Sequence, residues 1–156
     1  MRLGLLWLVL GGWIGAMLFF AAAVAPAAFE VLDTPEQAGR LVSRTLSILN
    51  LGGAAAGLAL ALLARGLGRG PWLWAVPLLL TVLCLGSHFG VSAALAEIRA
   101  QPGWDSDPAV RARFGALHGA SVGLLGLTLI GAIGLLAAHA RAWGRPAGAR
   151  KSSENS

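Results

Sequence analysis

The sequence is short of charge, since only 12% of its 156 residues are Asp, Glu, Lys or Arg. Soluble domains usually carry about 25% charged residues, so this chain lacks the charge that a water-facing surface needs. It has a single cysteine, Cys84, and no tyrosine. One cysteine excludes an intramolecular disulfide and a cysteine-rich metal cluster. The sequence also lacks a Walker loop, a His-Glu-x-x-His motif and a Cys-x-x-Cys pair, which are signatures of phosphate, zinc and redox chemistry.

Apolar residues are abundant instead, at 56% of the chain with a mean hydropathy of +0.72. A transmembrane helix needs about 20 mostly apolar residues, and the predicted spans are about 3–29, 46–64, 72–95 and 117–138. The sequence therefore predicts an all-α membrane protein, a four-transmembrane-helix antiparallel bundle over residues 1–143. Residues 144–156 have no apolar periodicity and are predicted to form a disordered cytoplasmic tail.

The first span has two features of a signal peptide, a leading Arg2 and a small-residue Ala23-Val24-Ala25 segment. Its apolar run is much longer than the roughly 7–15 residues of a signal sequence. Cleavage after Ala25 would also leave Pro26 at the new amino terminus. We therefore expect the first helix to be retained.

Basic residues indicate the orientation of the four spans, because Lys and Arg concentrate in cytoplasmic loops. With four spans, both termini and the second connector share one side, which carries seven basic residues against five on the other. The seven are Arg2, Arg65, Arg69, Arg141, Arg145, Arg150 and Lys151, and the five are Arg40, Arg44, Arg99, Arg111 and Arg113. The bias predicts an inner-membrane protein with cytoplasmic termini. The net charge of +5 is thereby attributed to topology, and no nucleic-acid partner is predicted.

Polar side chains inside spans usually face the bundle, because facing lipid is costly. At about 100° per residue, spans two, three and four each carry one polar stripe. These stripes predict a polar pocket in the outer half of the bundle, away from the cytoplasm. Its predicted members are Arg44, Ser47, Asn50, His88, His118 and Ser121.

Three interpretations of this pocket remain open. In the first, the histidines serve only to form hydrogen bonds that hold the helices together. Alternatively, His88 and His118 hold a transition metal or a haem iron, although the sequence shows no third strong ligand beside them. In the third interpretation the stripes line a path for a small solute, an ion or a proton.

No enzyme is predicted. Ser121 lies three residues after His118, but no carboxylate is placed to orient the histidine. The expected function is that of a structural or accessory membrane component with a polar pocket and no resident cofactor.

Glycines form a second pattern, with small residues four positions apart on three spans. This spacing lets helix backbones approach closely in lipid. It predicts a tight bundle within the bilayer and leaves a homo-oligomer as an alternative. The predicted packing positions are Gly11, Gly15, Gly53, Gly57, Gly115, Gly119 and Gly123.

The starts of the second and fourth helices carry capping signals. Thr34 before Pro35, and Asp107 before Pro108, have the N-cap residue followed by proline at the first helical position that is typical of helix starts. Both helices are therefore expected to begin ahead of their apolar spans.

Two segments resemble a known family. "GAMLFFAAAVAPAAFEVLDTPEQAGRL" at residues 15–41 and "RARFGALHGAS" at 111–121 resemble hallmarks of the transmembrane protein 205-like family, also catalogued as domain of unknown function 4149. That family has no settled biochemical activity, and its eukaryotic relative's association with drug resistance and secretory membranes suggests transport or trafficking. The positions that carry the resemblance are Phe20, Pro26, Phe29, Gly39, Phe114, His118 and Ser121.

Overall fold

The structure is a computed structural model that describes residues 1–143, with side-chain surroundings to Ala142. That part contains four long helices and no strand. Helix α1 comprises α-helix Arg2–Phe19, a π-helical segment Phe20–Val24 and α-helix Ala25–Val31, and α2 is Pro35–Gly66. Helix α3 comprises Pro71–Gly86, a π-helical segment Ser87–Ser92 and Ala93–Arg99, and α4 is Pro108–Trp143. The tail predicted at 144–156 lies outside the described residues.

All four helices are long and apolar enough to cross a membrane. The predicted all-α, four-span membrane fold is confirmed, and the chain is a multi-pass membrane protein. Consecutive helices pack as neighbours, and α1 also packs on α4, which closes the bundle. We call the end with the connectors at 32–34 and 100–107 the distal end, and the opposite end the proximal end.

The predicted capping signals are confirmed at both helix starts. Thr34 Oγ1 accepts a hydrogen bond from the Gln37 backbone N–H at 3.3 Å, and Asp107 Oδ1 accepts one from the Ala109 backbone N–H at 2.8 Å. Each side chain satisfies a donor that the first helical turn leaves free. Helix α2 accordingly begins at Pro35 and α4 at Pro108, before the predicted spans.

The proximal half of the bundle is filled with apolar side chains. Helix α1 buries one face at helical spacing and meets residues of the other three helices there. Its partners include a buried histidine, His139, whose ring meets Trp7 edge-on at 6.4 Å between centroids. The largest side chains of this core are Leu6, Leu10, Trp13, Ile14, Met17, Leu60, Leu80 and Leu135.

Two π-helical segments change the helix phase in the distal half. The first ends at Val24, two residues before Pro26, whose ring would clash with the carbonyl four residues back in a regular α-helix. A wider turn there removes that clash and redirects the rest of α1 onto α2. The second segment, Ser87–Ser92, turns Ser87 inward, where it is buried.

Only some of the predicted packing glycines are in close contact. A Cβ on Gly53 would lie 2.8 Å from Trp13 Nε1, and one on Gly57 would lie 2.8 Å from the Pro77 carbonyl oxygen. These two glycines let α2 approach α1 and α3 closely. The remaining five contact no other helix of this chain, because nothing outside their own helix lies within 4 Å of the position that a Cβ would take. These five are Gly11, Gly15, Gly115, Gly119 and Gly123.

Candidate functional site

Two adjoining cavities occupy the distal half of the bundle. The rim cavity, about 390 Å³, lies next to the connectors and is lined by Phe29, Pro35, Glu36, Gly39, Arg40, Arg99, Trp104, Asp105, Phe114 and His118. The deep cavity, about 250 Å³, lies between the spans. Its lining consists of Phe20, Ala21, Ala25, Phe29, Gly39, Val42, Ser43, Leu46, Ser92, Leu95, Arg99, His118, Ser121, Val122 and Leu125. The cavities share Phe29, Gly39, Arg99 and His118, so they meet at one place.

Arg99 occupies that meeting place and joins three helices. Its Nη1 atom donates to the Gly39 carbonyl oxygen at 3.2 Å and to Ser43 Oγ, both on α2. Its guanidinium carbon lies 5.0 Å from the ring centroid of Phe114 on α4, within cation–π range. A Cβ on Gly39 would lie 3.1 Å from Arg99 Nη2. Glycine at this position therefore leaves the room that the guanidinium occupies.

Aromatic rings form a wall beside Arg99. Phe114 lies at its centre, with its ring centroid 4.5 Å from that of Trp104 and 6.4 Å from that of His118. The Phe114 and His118 rings are almost parallel, at 3°. One aromatic side chain thus contacts the third connector, the cation on α3 and the histidine one turn further along α4.

The deep cavity opens sideways between α1 and α4. Its lining residues Ala21 and Phe29 on α1, and His118 and Val122 on α4, are all exposed. The opening follows from the π-helical segment in α1, because the part of α1 beyond it packs on α2. In a bilayer, an opening at this depth faces lipid.

The structure divides the six residues of the predicted polar pocket. His118 and Ser121 line the deep cavity, whereas Arg44 is exposed and Ser47 is half-buried, and neither lines either cavity. Asn50 is buried and its Nδ2 donates to Ser87 Oγ at 3.1 Å. This bond joins α2 to the π-helical segment of α3. Asn50 therefore serves helix packing in this structure.

The two histidines proposed as an iron or metal pair have different neighbours. The His88 ring meets Phe89 edge-on at 4.7 Å, and the His118 ring stacks on Phe114. Among the ring contacts of the described residues there is none between His88 and His118, and His88 lines neither cavity. Within residues 1–143, no three His, Cys, Asp or Glu side chains are grouped closely enough to hold a metal ion.

Residues 119–123 read Gly-Ala-Ser-Val-Gly, which matches the Gly-x-Ser-x-Gly pattern of α/β-hydrolase nucleophiles. In those enzymes the serine sits on a sharp strand-to-helix turn. Here the pattern lies inside the continuous helix α4, and Ser121 is only 3% exposed. The strained turn that presents the nucleophile is therefore missing.

Sequence reasoning did not include Arg99, Ser43 or Trp104 in the pocket. A signal for Arg99 was present, since an arginine at the end of an apolar span needs polar partners inside the bundle. The Gly39 and Ser43 positions on the neighbouring span supply those partners. The residues behind the family resemblance were better indicators. Six of those seven line the cavities, all except Pro26.

A comparison with protein families decides the family. The family model described as "Domain of unknown function (DUF4149)" matches residues 8–103, well over half of the chain. The chain belongs to this family. The DUF4149 match covers α1 to α3 and ends before the "FGALHGAS" segment on α4, and the transmembrane protein 205-like name remains a resemblance. Comparison with curated proteins and with solved structures found no match.

Proposed function

We propose that this DUF4149 protein is a non-enzymatic membrane component that binds an amphipathic ligand in the distal half of its bundle. The observation that supports this proposal is that a cavity with several charged side chains in its lining meets a cavity lined mostly by apolar ones, at Arg99. The rim cavity adjoins the connectors, and the deep cavity opens toward lipid. A molecule with a polar head and an apolar tail matches that order of surroundings.

The packing of the proximal half supports a one-ended pocket over a path for solutes. Leu6 and Leu10 on α1 are fully buried, and Leu60 on α2 and Leu135 on α4 are nearly so. Closely packed protein interiors leave few voids as large as a water molecule. A solute entering the deep cavity therefore meets packed side chains in its way.

Orientation is part of the proposal. We place both termini in the cytoplasm and the distal end on the outer face of an inner membrane, from the excess of basic residues on the terminal side. We expect a green fluorescent protein fused at the carboxyl terminus to fluoresce, and alkaline phosphatase at the same place to be inactive. Phosphatase fused after Gln101 in the third connector should be active. The reverse pattern would overturn the orientation.

Cysteine accessibility tests the pocket directly. Cys84 is buried and is the only cysteine, so Cys84→Ala gives a background without thiols. In that background we expect Leu46→Cys, which lines the deep cavity, to react with a lipid-soluble maleimide in nanodiscs. Ala54→Cys, two turns further along α2 and only 8% exposed, is the matched control and should stay unlabelled over the same time.

The ligand class is tested by protection of the Leu46→Cys thiol. Both hexadecanol and hexadecyl phosphate should slow its labelling, because each places an alkyl chain in the deep cavity. Labelling of an exposed cysteine at Leu51→Cys on the same helix should not change. If neither amphiphile protects Leu46→Cys, the proposed function is wrong.

A further inference from the structure

We infer that the amphipathic ligand carries an anionic head, a carboxylate or a phosphate, and that Arg99 binds that head. This inference rests on the proposed function, since it names the chemical class of the molecule that enters the same cavities. It is argued from the free donors of Arg99, the charges around it and the side chains that hold it.

Several N–H donors of Arg99 form no hydrogen bond within the described part of the chain. A guanidinium carries five N–H donors in a planar fork, and the two internal hydrogen bonds of Arg99 both come from Nη1. Among the described residues, Nε and Nη2 have no hydrogen-bond partner and neither atom is sealed from the surroundings. These two nitrogens form the edge that binds a carboxylate or a phosphate through two parallel hydrogen bonds.

The positive charge of Arg99 is also left without an opposite charge. No carboxylate in the described part of the chain forms an ion pair with it, and its internal partners, Gly39 and Ser43, are neutral. A charge at the edge of the spans that lacks a counter-charge is costly. An anion from the membrane would supply the missing counter-charge.

The surroundings place the anionic head at the junction of the cavities. Glu36 and Asp105 line the rim cavity together with Arg40, whereas the deep cavity has Arg99 as its only lining residue with a permanent charge. An anion placed elsewhere in the rim cavity, nearer the connectors, would face the two carboxylates. A head at Arg99 avoids them and leaves its alkyl chain among apolar residues such as Leu46, Leu95 and Leu125.

The guanidinium is held in place before any ligand arrives. Nη1 is anchored on α2, and the guanidinium carbon lies over the Phe114 ring. Gly39 brings no side chain toward Nη2, so that edge stays open to the cavities. A fork held in this way loses little rotamer freedom on binding, which favours affinity.

Protection of Leu46→Cys in the Cys84→Ala background, titrated with single amphiphiles in nanodiscs of neutral lipid, tests the inference. Palmitate and hexadecyl phosphate, both kept ionised at alkaline pH, should protect at concentrations about tenfold lower than hexadecanol, as expected for a charge-assisted hydrogen-bonded pair. Arg99→Gln should remove that preference, so that the three amphiphiles protect at similar concentrations. Inorganic phosphate alone should not protect, because it has no alkyl chain.

Two further variants separate recognition from folding. Arg99→Lys keeps the charge but loses the fork, so it should bind the anionic probes more weakly than the parent and more tightly than Arg99→Gln. Arg44→Gln removes an exposed arginine of α2 that lines neither cavity, and it should change nothing. Equal protection by all three amphiphiles in the parent protein would overturn the anionic head while leaving the amphiphile pocket intact. Protection by inorganic phosphate alone would show a free anion site and would overturn the proposal of a lipid-like ligand.

Discussion

Replacing Gly57 by valine should unfold or severely destabilise the bundle. A Cβ at this position would lie 2.8 Å from the Pro77 carbonyl oxygen and still closer to Thr81 Oγ1. The Pro77 oxygen belongs to the backbone of α3 and cannot move aside without moving the helix. Overpacking typically costs about 1–3 kcal/mol, and a branched side chain against backbone should reach at least the upper end. Thermal unfolding of the purified protein in mild detergent measures the loss.

Gly52→Val is the matched control for this substitution. Gly52 lies on the same helix, and nothing lies within 4 Å of its built Cβ. Both variants replace a glycine by valine in the middle of α2, so the difference between their melting temperatures reports the contact with α3 alone. Equal melting temperatures for the two variants would show that α2 and α3 do not approach each other as closely as the structure has them.

Replacing Leu10 by alanine should lower the free energy of unfolding by about 2 kcal/mol. Leu10 is fully buried in the proximal core, where truncation of leucine costs about 2–5 kcal/mol in soluble proteins. Lipid is as apolar as leucine, so the part of the cost due to transfer from water is small. The lost packing contacts remain. Unfolding in a denaturing detergent titration measures the change.

Leu8→Ala is the corresponding control, because Leu8 is 71% exposed on the same helix. We expect its free energy of unfolding to stay close to that of the parent protein. The pair also tests whether the first helix belongs to the folded protein, as the length of its apolar run predicts. If Leu10→Ala is as stable as Leu8→Ala, α1 is not part of the packed core.

The cavities combine residues inside and outside the family match. Phe29, Gly39 and Arg99 lie within residues 8–103, whereas Phe114 and His118 follow on α4. Arg99 and the two α2 residues that accept its hydrogen bonds therefore lie within the DUF4149 match. The aromatic wall beside it comes from the connector and the helix that follow the match, since it consists of Trp104, Phe114 and His118.

The polar stripes show where the assumption of regular helical periodicity fails. At a constant 100° per residue, His88 shares a face with Cys84 and Arg99. In the structure a π-helical segment over Ser87–Ser92 shifts the phase, and Ser87 faces Asn50 instead. No proline marks this segment in the sequence, and the partner of Ser87 lies on a neighbouring helix. A pattern read along one helix could not anticipate it.

The glycines illustrate the same limit. All seven predicted packing positions share the small-residue spacing, but only Gly53 and Gly57 meet another helix within the chain. The spacing permits close approach. Which face is approached depends on the position of the other helices, and that is a property of the whole bundle.

The sequence by itself determined the four spans, the helix starts at Pro35 and Pro108, and the membrane as solvent, because length, hydropathy and capping are local properties. Only the tertiary structure decided that Arg99 meets Gly39 and Ser43 at a distance of 60 and 56 residues along the chain. It also decided that α1 turns away from α4 beyond its π-helical segment, which opens the deep cavity. These features arise from contacts between helices, and no single helix carries the information that specifies them.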